Sequence, residues 1–173
     1  MIMLQIYHGD GKGKTTAAVG LAVRAAGAGL KVLFMQFLKN GSSSEIKILS
    51  GINGITVMCC EECSKFTFEM NSDEKLAVAA KHDNMLRTIE DLLSQNNADV
   101  VIMDEFLDAY NKAMLNKKLA ERVIMDFSDT AEIVLTGRFP DEIFIEKADY
   151  ISHVTAEKHP YSRGITARKG IEY

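Results

Sequence analysis

The sequence predicts an α/β fold, a mostly parallel central sheet with helices on both faces. Three observations carry this expectation. Short β-branched apolar runs alternate with longer segments of helical period. A glycine-rich stretch, "GDGKGKTTAAVG" (Gly9 to Gly20), joins the first apolar run to the first helical segment. A later apolar run, "VVIMDE", ends in the paired acids Asp104 and Glu105. In such sheets ligands gather at the carboxyl ends of the strands, so the residues just after each run matter most.

Taken in order, the expected strands are Ile2–Tyr7, Lys31–Gln36, Ile55–Met58, Val100–Met103, Ile133–Thr136 and Tyr150–Val154. The expected helices are Lys14–Ala26, Asp73–Ser94 and Lys117–Phe127. In the second of these, Leu76, Ala79, Leu86, Ile89 and Leu93 recur at nearly helical spacing, and Asp73 is placed to cap it. "NGSSSE", Asn40 to Glu45, reads as a flexible loop.

With 173 residues, 47% of them apolar, and no repeat or linker, the chain reads as one domain over 1–173 with a substantial core. No apolar run reaches bilayer-spanning length. The N-terminus lacks the flanks of a signal peptide and reads as a first strand. A net charge of −4 argues against a nonspecific nucleic-acid surface. It leaves room for a local basic pocket, since Lys158, His159, Arg163, Arg168 and Lys169 concentrate near the C-terminus. The three cysteines, Cys59, Cys60 and Cys63, read as reduced cytoplasmic thiols. Cys60 and Cys63 have zinc-knuckle spacing, but a closed zinc site needs four ligands and there is no second CxxC. They are therefore expected to be loop thiols.

A Walker A loop reads G-x-x-x-x-G-K-[ST]. Aligned on Gly13, Lys14 and Thr15, its first glycine falls on His8, and the glycines stand instead at 9, 11 and 13. The physics of a phosphate cradle survives this. Small residues let backbone N–H groups turn inward around an anion. The helix beginning near Lys14 points its N-terminus at the same place. Lys14 supplies a point charge, and the Thr15 hydroxyl suits Mg²⁺. Acids at the end of "VVIMDE" complete a metal-nucleotide site; alone they would read equally as a solvated strand end.

The string from Gly9 to Lys39, "TGRFP" (Thr136 to Pro140) and "KHPYSRGITARKGIEY" (Lys158 to Tyr173) together resemble the P-loop ATP:corrinoid adenosyltransferases. The resemblance covers nearly the whole chain. It implies a RecA-like fold, a homodimer, and transfer of the 5′-deoxyadenosyl group of ATP to the Co(I) of a reduced corrinoid, with triphosphate leaving. Such activity serves adenosylcobalamin biosynthesis or salvage. In that family ATP lies reversed in the loop, so that carbon 5′ faces the nucleophile.

The resemblance assigns triphosphate binding to Gly9, Asp10, Gly11, Lys12, Gly13, Lys14, Thr15 and Thr16. It adds Arg24, otherwise a solvated helix arginine, and Arg138, a phosphate clamp or a structural ion pair. Lys14, Thr15 and Glu105 are the expected catalytic residues, with Thr15 and Glu105 holding Mg²⁺. Gln36, Phe37 and Lys39 close the second strand, and Phe37 alone reads as core. Phe66 and Phe68 stand where the family carries Phe-x-Trp. They are expected to crowd the lower face of the corrin, against the alternative of strand residues packing into a core. A flavoprotein is a candidate electron donor. The N-terminal extension of longer relatives is absent, so looser enclosure of the corrinoid is expected. Two other readings stand at this point: a P-loop kinase resembling thymidine kinases, and an ATP-dependent switch protein. Their products separate them, since only adenosyl transfer releases triphosphate.

Overall fold

The structure, a computed structural model, describes residues 2–172, and at positions 161 and 162 the backbone alone. In chain order the elements are β1 (Leu4–His8), α1 (Lys14–Gly27), β2 (Val32–Gln36), α2 (Ser44–Leu49), β3 (Ile55–Cys59) and α3 (Ser72–Ser94). They continue with β4 (Val100–Asp104), α4 (Phe106–Asn111), α5 (Lys117–Phe127), β5 (Glu132–Gly137), α6 (Glu142–Lys147) and β6 (Tyr150–His153). Among the described residues the strands form one sheet in the order β3-β2-β4-β5-β1-β6. Every pairing is parallel, so all carboxyl ends share one edge.

Period-2 alternation sorts the core onto the two faces. Val32 and Phe34 of β2, with Val100 and Ile102 of β4, pack with Ala18, Ala22 and Ala25 of α1. Leu33, Met35, Val101 and Met103 face the other way, against Val78 and Leu86 of α3 and Val123 of α5. Small alanines let α1 lie close to the sheet, which brings its N-terminus to the strand ends.

The strands and long helices fall where expected, within one or two residues. Three short helices, α2, α4 and α6, were not anticipated. The expected flexible loop ends in one of them, since α2 starts at Ser44. The cap of α3 is Asn71 rather than Asp73: its side chain accepts from Glu74 N at 2.9 Å while Glu74 reaches back to Asn71 N at 2.9 Å. This reciprocal box satisfies two N-terminal donors, which Asp73, already inside the helix, is not positioned to do. The buried stripe of α3 runs through Val78, His82, Met85, Leu86, Ile89 and Leu93. Leu76 is exposed, in contrast to the pattern read from sequence.

Candidate active site

The glycine-rich loop leaves β1 and is braced from across the sheet. Gly9 N donates to the Arg138 carbonyl at 3.1 Å, and Gly11 N to the Val154 carbonyl at 2.9 Å. Asp10 accepts from Ala156 N at 3.2 Å, so its carboxylate secures the loop to the segment after β6. Gly9 has φ 115, and a Cβ there would lie 2.3 Å from the Val154 oxygen. No other residue fits that approach. Gly13, φ 120, is the N-cap of α1. His8, at the position of the usual first glycine, stacks on His153 of β6 with ring centroids 4.6 Å apart and planes 2° from parallel.

The charged groups converge beside this loop. Lys14 Nζ donates to the Gly11 carbonyl at 2.8 Å, which holds its ammonium over the loop. Asp104, at the end of β4, is fully buried. Its Oδ1 accepts from Thr15 Oγ1 and from Thr136 Oγ1, each at 2.8 Å. Its Oδ2 accepts from Lys39 Nζ at 2.8 Å and Gln36 Nε2 at 3.3 Å. Lys39 Nζ also lies 3.3 Å from Thr15 Oγ1 and 3.7 Å from Glu105 Oε1. Burial alone would lower the lysine's pKa. The attraction of Asp104 and Glu105 outweighs it and holds Lys39 above its ordinary value.

An ammonium thus sits among a hydroxyl and two carboxylates, a set of hard oxygen donors suited to Mg²⁺. The residues present therefore fit that ion, with Asp104 added to the expected Thr15 and Glu105. Glu105 occupies a left-handed conformation, φ 59, at the start of α4. Its N–H donates to Thr136 Oγ1 at 3.0 Å. Burial pushes its carboxyl above the ordinary range, with Lys39 opposing.

The remaining expected residues are placed as follows. Lys12 is exposed and paired with Glu172 at 3.1 Å, and Glu172 also holds Arg168 at 3.0 Å. Thr16 is exposed on a cavity of about 430 Å³ that Thr15, Lys39 and Glu172 also line. A neighbouring cavity of about 570 Å³ is lined by Lys12, Lys158, His159 and Arg168, so part of the basic C-terminal cluster does flank the loop. Arg24 lies exposed in the last turn of α1, about 15 Å along the axis from Lys14 at roughly 1.5 Å per residue. Arg138 is exposed, and its backbone carries the contacts to Gly9 and, through N–H, to Asp108 Oδ2 at 2.9 Å. Phe37 is core, edge-on to Phe106 at 5.5 Å.

Phe66 and Phe68 lie on the loop that leaves the carboxyl end of β3. They are 71% and 81% exposed and stack on each other at 5.5 Å. This segment is not a strand, and its rings are not core. Cys60 and Cys63 lie in the loop after β3, as expected, and both are buried there. Cys59 ends β3, and burial pushes its thiol up to about 11, which leaves it un-ionised near neutrality.

Sequence reasoning passed over Asp104 as the central carboxylate, Thr136, and the cation role of Lys39. The signal for the first lay in β4 itself: it is the last strand residue, whereas Glu105 already turns away.

Comparison with known proteins gives a consistent result. A family model described as ATP:corrinoid adenosyltransferase BtuR/CobO/CobP matches residues 1–173. The corrinoid adenosyltransferase of Pseudomonas aeruginosa is 29% identical over 178 residues, spanning 99% of this chain and 83% of that protein. Corrinoid adenosyltransferase CobA of Salmonella typhimurium is 30% identical over 172 residues, spanning 97% and 84%. Among solved structures, the KaiC-like protein PH0186 of Pyrococcus horikoshii superimposes with a TM-score of 0.55 at 16% identity, covering 91% of this chain and 74% of that one. That likeness concerns the fold, which is RecA-like. No helix among the described residues is long and apolar enough to cross a membrane.

Proposed function

Since the chain belongs to the ATP:corrinoid adenosyltransferase family and transfers an adenosyl group from ATP to a corrinoid, we propose that the loop Gly9 to Thr16 holds the triphosphate as a leaving group. One observation supports this above others: the Thr15 hydroxyl, the buried Asp104 and the Lys39 ammonium form a cation-holding cluster directly beside the loop. Co(I) of the reduced corrinoid brings its own electron pair. The Co–C5′ bond forms, the C5′–O5′ bond breaks, and that bond's electrons leave on the triphosphate oxygen. No proton is moved, so no general base is required.

The protein's contribution is positioning and charge neutralisation. Lys12 and Lys14 offset the charge that grows on the leaving oxygen. Thr15, Asp104 and Glu105 would hold Mg²⁺, which supplies further neutralisation of the phosphates when bound. The family resemblance supports the remaining assignments: Arg24 and Arg138 toward the nucleotide, a homodimer, a cytoplasmic site of action, and a flavoprotein donor that supplies Co(I). The decisive assay combines ATP, Mg²⁺ and chemically reduced corrinoid, and follows both the light-sensitive adenosyl-cobalt spectrum and the phosphate product. Triphosphate is expected. ADP would point to phosphoryl transfer and overturn this reading of the loop.

Glu105→Gln trades an anionic oxygen ligand for a neutral one. The Mg²⁺ concentration for half-maximal activity is expected to rise at least about tenfold. A titration that overlays the wild type would remove Glu105 from the metal.

The exposed pair Phe66 and Phe68 is proposed to face the corrin and disfavour its lower axial ligand, which eases reduction of Co(II). Because Phe68 is exposed, Phe68→Ala is expected to leave the melting temperature unchanged. Transfer from chemically supplied Co(I) should be near normal. Transfer from Co(II) with a mild reductant should slow about tenfold or more, equivalent to about 1.4 kcal/mol. Equal losses in both assays would sink the corrin-facing role.

A further inference from the structure

Cys60, Cys63 and His82 meet beneath the turn that follows β2. All three are buried, and their ligand atoms lie within 4.8 Å of one another. The two sulfurs are 2.9 Å apart, and Cys63 Sγ is 4.0 Å from His82 Nε2. The histidine is oriented as a ligand. Its Nδ1 lies 2.7 Å from the Met114 carbonyl, which only accepts, so Nδ1 carries the proton. Nε2 is left with the lone pair, 4.0 Å from Cys63 Sγ, the tautomer that an outer hydrogen bond imposes on a metal-bound imidazole. That lone pair now accepts from Leu38 N at 3.1 Å. A cation taking Nε2 would displace this bond, and the Leu38 N–H would turn to the thiolate sulfurs beside it. Leu38 holds a left-handed backbone, φ 54, which is strained for leucine and aims its N–H into the cluster.

We propose that Cys60, Cys63 and His82 form a structural site for a thiophilic divalent cation of the zinc class. Tetrahedral zinc places two thiolate sulfurs about 3.8 Å apart and sulfur and nitrogen about 3.6 Å apart. The Cys60–Cys63 and Cys63–His82 spacings lie within 1 Å of these values, and the third pair lies within 4.8 Å, so a modest shift of rotamers and of the Cys60–Cys63 turn brings the set together. Two thiolates neutralise the dication, and the buried complex carries no net charge from its three ligands. Two thiol protons leave to solvent on binding. The fourth position falls to a solvent oxygen, because Glu62, 3.9 Å from Cys60 Sγ, is exposed and lies outside the three-residue cluster.

The cation would tie two segments together, the Cys60–Cys63 turn and the middle of α3, beneath the turn after β2. Cys60 N already donates to the Lys39 carbonyl at 3.1 Å. The site thus braces from behind the lysine that pairs with Asp104, and it anchors the root of the loop bearing Phe66 and Phe68. Sequence spacing gave two ligands; the fold supplies the third.

The test uses the full chain, reduced and free of corrinoid so that no other cobalt is present. After exposure to excess zinc and desalting, about one equivalent per chain is expected, released when the thiols are alkylated. Cys63→Ser should retain less than about a tenth of that. Co(II) added to the metal-free wild type should give a thiolate-to-cobalt charge-transfer band that saturates at one equivalent. This second measurement decides the matter even where the variant fails to fold. Zinc below a tenth of an equivalent in the wild type, unchanged zinc in folded Cys63→Ser, or Co(II) titration without the band would each overturn the site. So would a Cys60–Cys63 disulfide formed with oxidised glutathione in a protein that, when reduced, takes up no metal.

Discussion

Replacing Lys14 with alanine is expected to lower kcat/KM for adenosyl transfer by at least about a hundredfold while the protein stays folded. The side chain makes one intramolecular contact of note, to the Gly11 carbonyl, and lies outside the core. Its removal therefore costs little stability. What is lost is a preorganised charge over the loop, worth roughly 3 kcal/mol or more in the transition state. Lys12 alone does not make good the loss, because it is exposed and part of its charge is taken by Glu172. Steady-state kinetics with a melting curve check this. Near-normal turnover in a folded Lys14→Ala protein would remove the phosphate loop from the chemistry.

Asp104→Asn is expected to be as damaging, and in two measurements. The carboxylate is fully buried and accepts from Thr15, Thr136, Lys39 and Gln36. An amide of the same shape keeps one acceptor oxygen and presents two donors among these partners. Lys39 then loses its closest counter-charge. Stripping one partner from a fully buried ion pair costs about 3–5 kcal/mol. Lys39 is 28% exposed and relaxes partly into solvent, so about 1–3 kcal/mol of stability is expected to go. Activity should fall about a hundredfold or more, since Thr15 loses its orientation and the cation site its central anion. Adding Lys39→Met removes the uncompensated ammonium. The double variant should recover much of the stability and none of the activity. Recovery of both would reduce Asp104 to a structural role.

The long elements were legible because their periodicity runs over several turns or a full strand. Helices α2, α4 and α6 have six residues each, too few for a helical period to declare itself. The cap of α3 was misassigned because capping is decided by which side chain faces the free N–H groups, and Asn71 and Asp73 look alike in sequence. The choice between Asp104 and Glu105 turned on one residue of register: Asp104 is the last of β4, and the chain then bends into a left-handed turn. Arg24 was assigned by resemblance alone, and Arg138 by resemblance and its place at the ligand end of the sheet; no local pattern indicated where either side chain points. His82 gave no signal beside the cysteines, being 19 positions from Cys63 and inside a helical stripe that otherwise reads as core.

The strand order has a consequence for how the protein comes into being during synthesis. β1 is made first, yet it lies between β5 and β6, and its loop leans on the carbonyls of Arg138 and Val154. Parallel contacts of such long sequence separation form late and slowly. While the chain is still emerging, the β2-β3-β4 half can pair by itself, but β1 has no neighbour to join. The phosphate cradle, first in sequence, is therefore last in assembly. A nascent or C-terminally truncated chain that lacks β6 keeps the glycine-lysine motif and its pairing with β5 but loses the bracing of Gly11 and Asp10, so its ATP binding is expected to be weaker than that of the closed sheet.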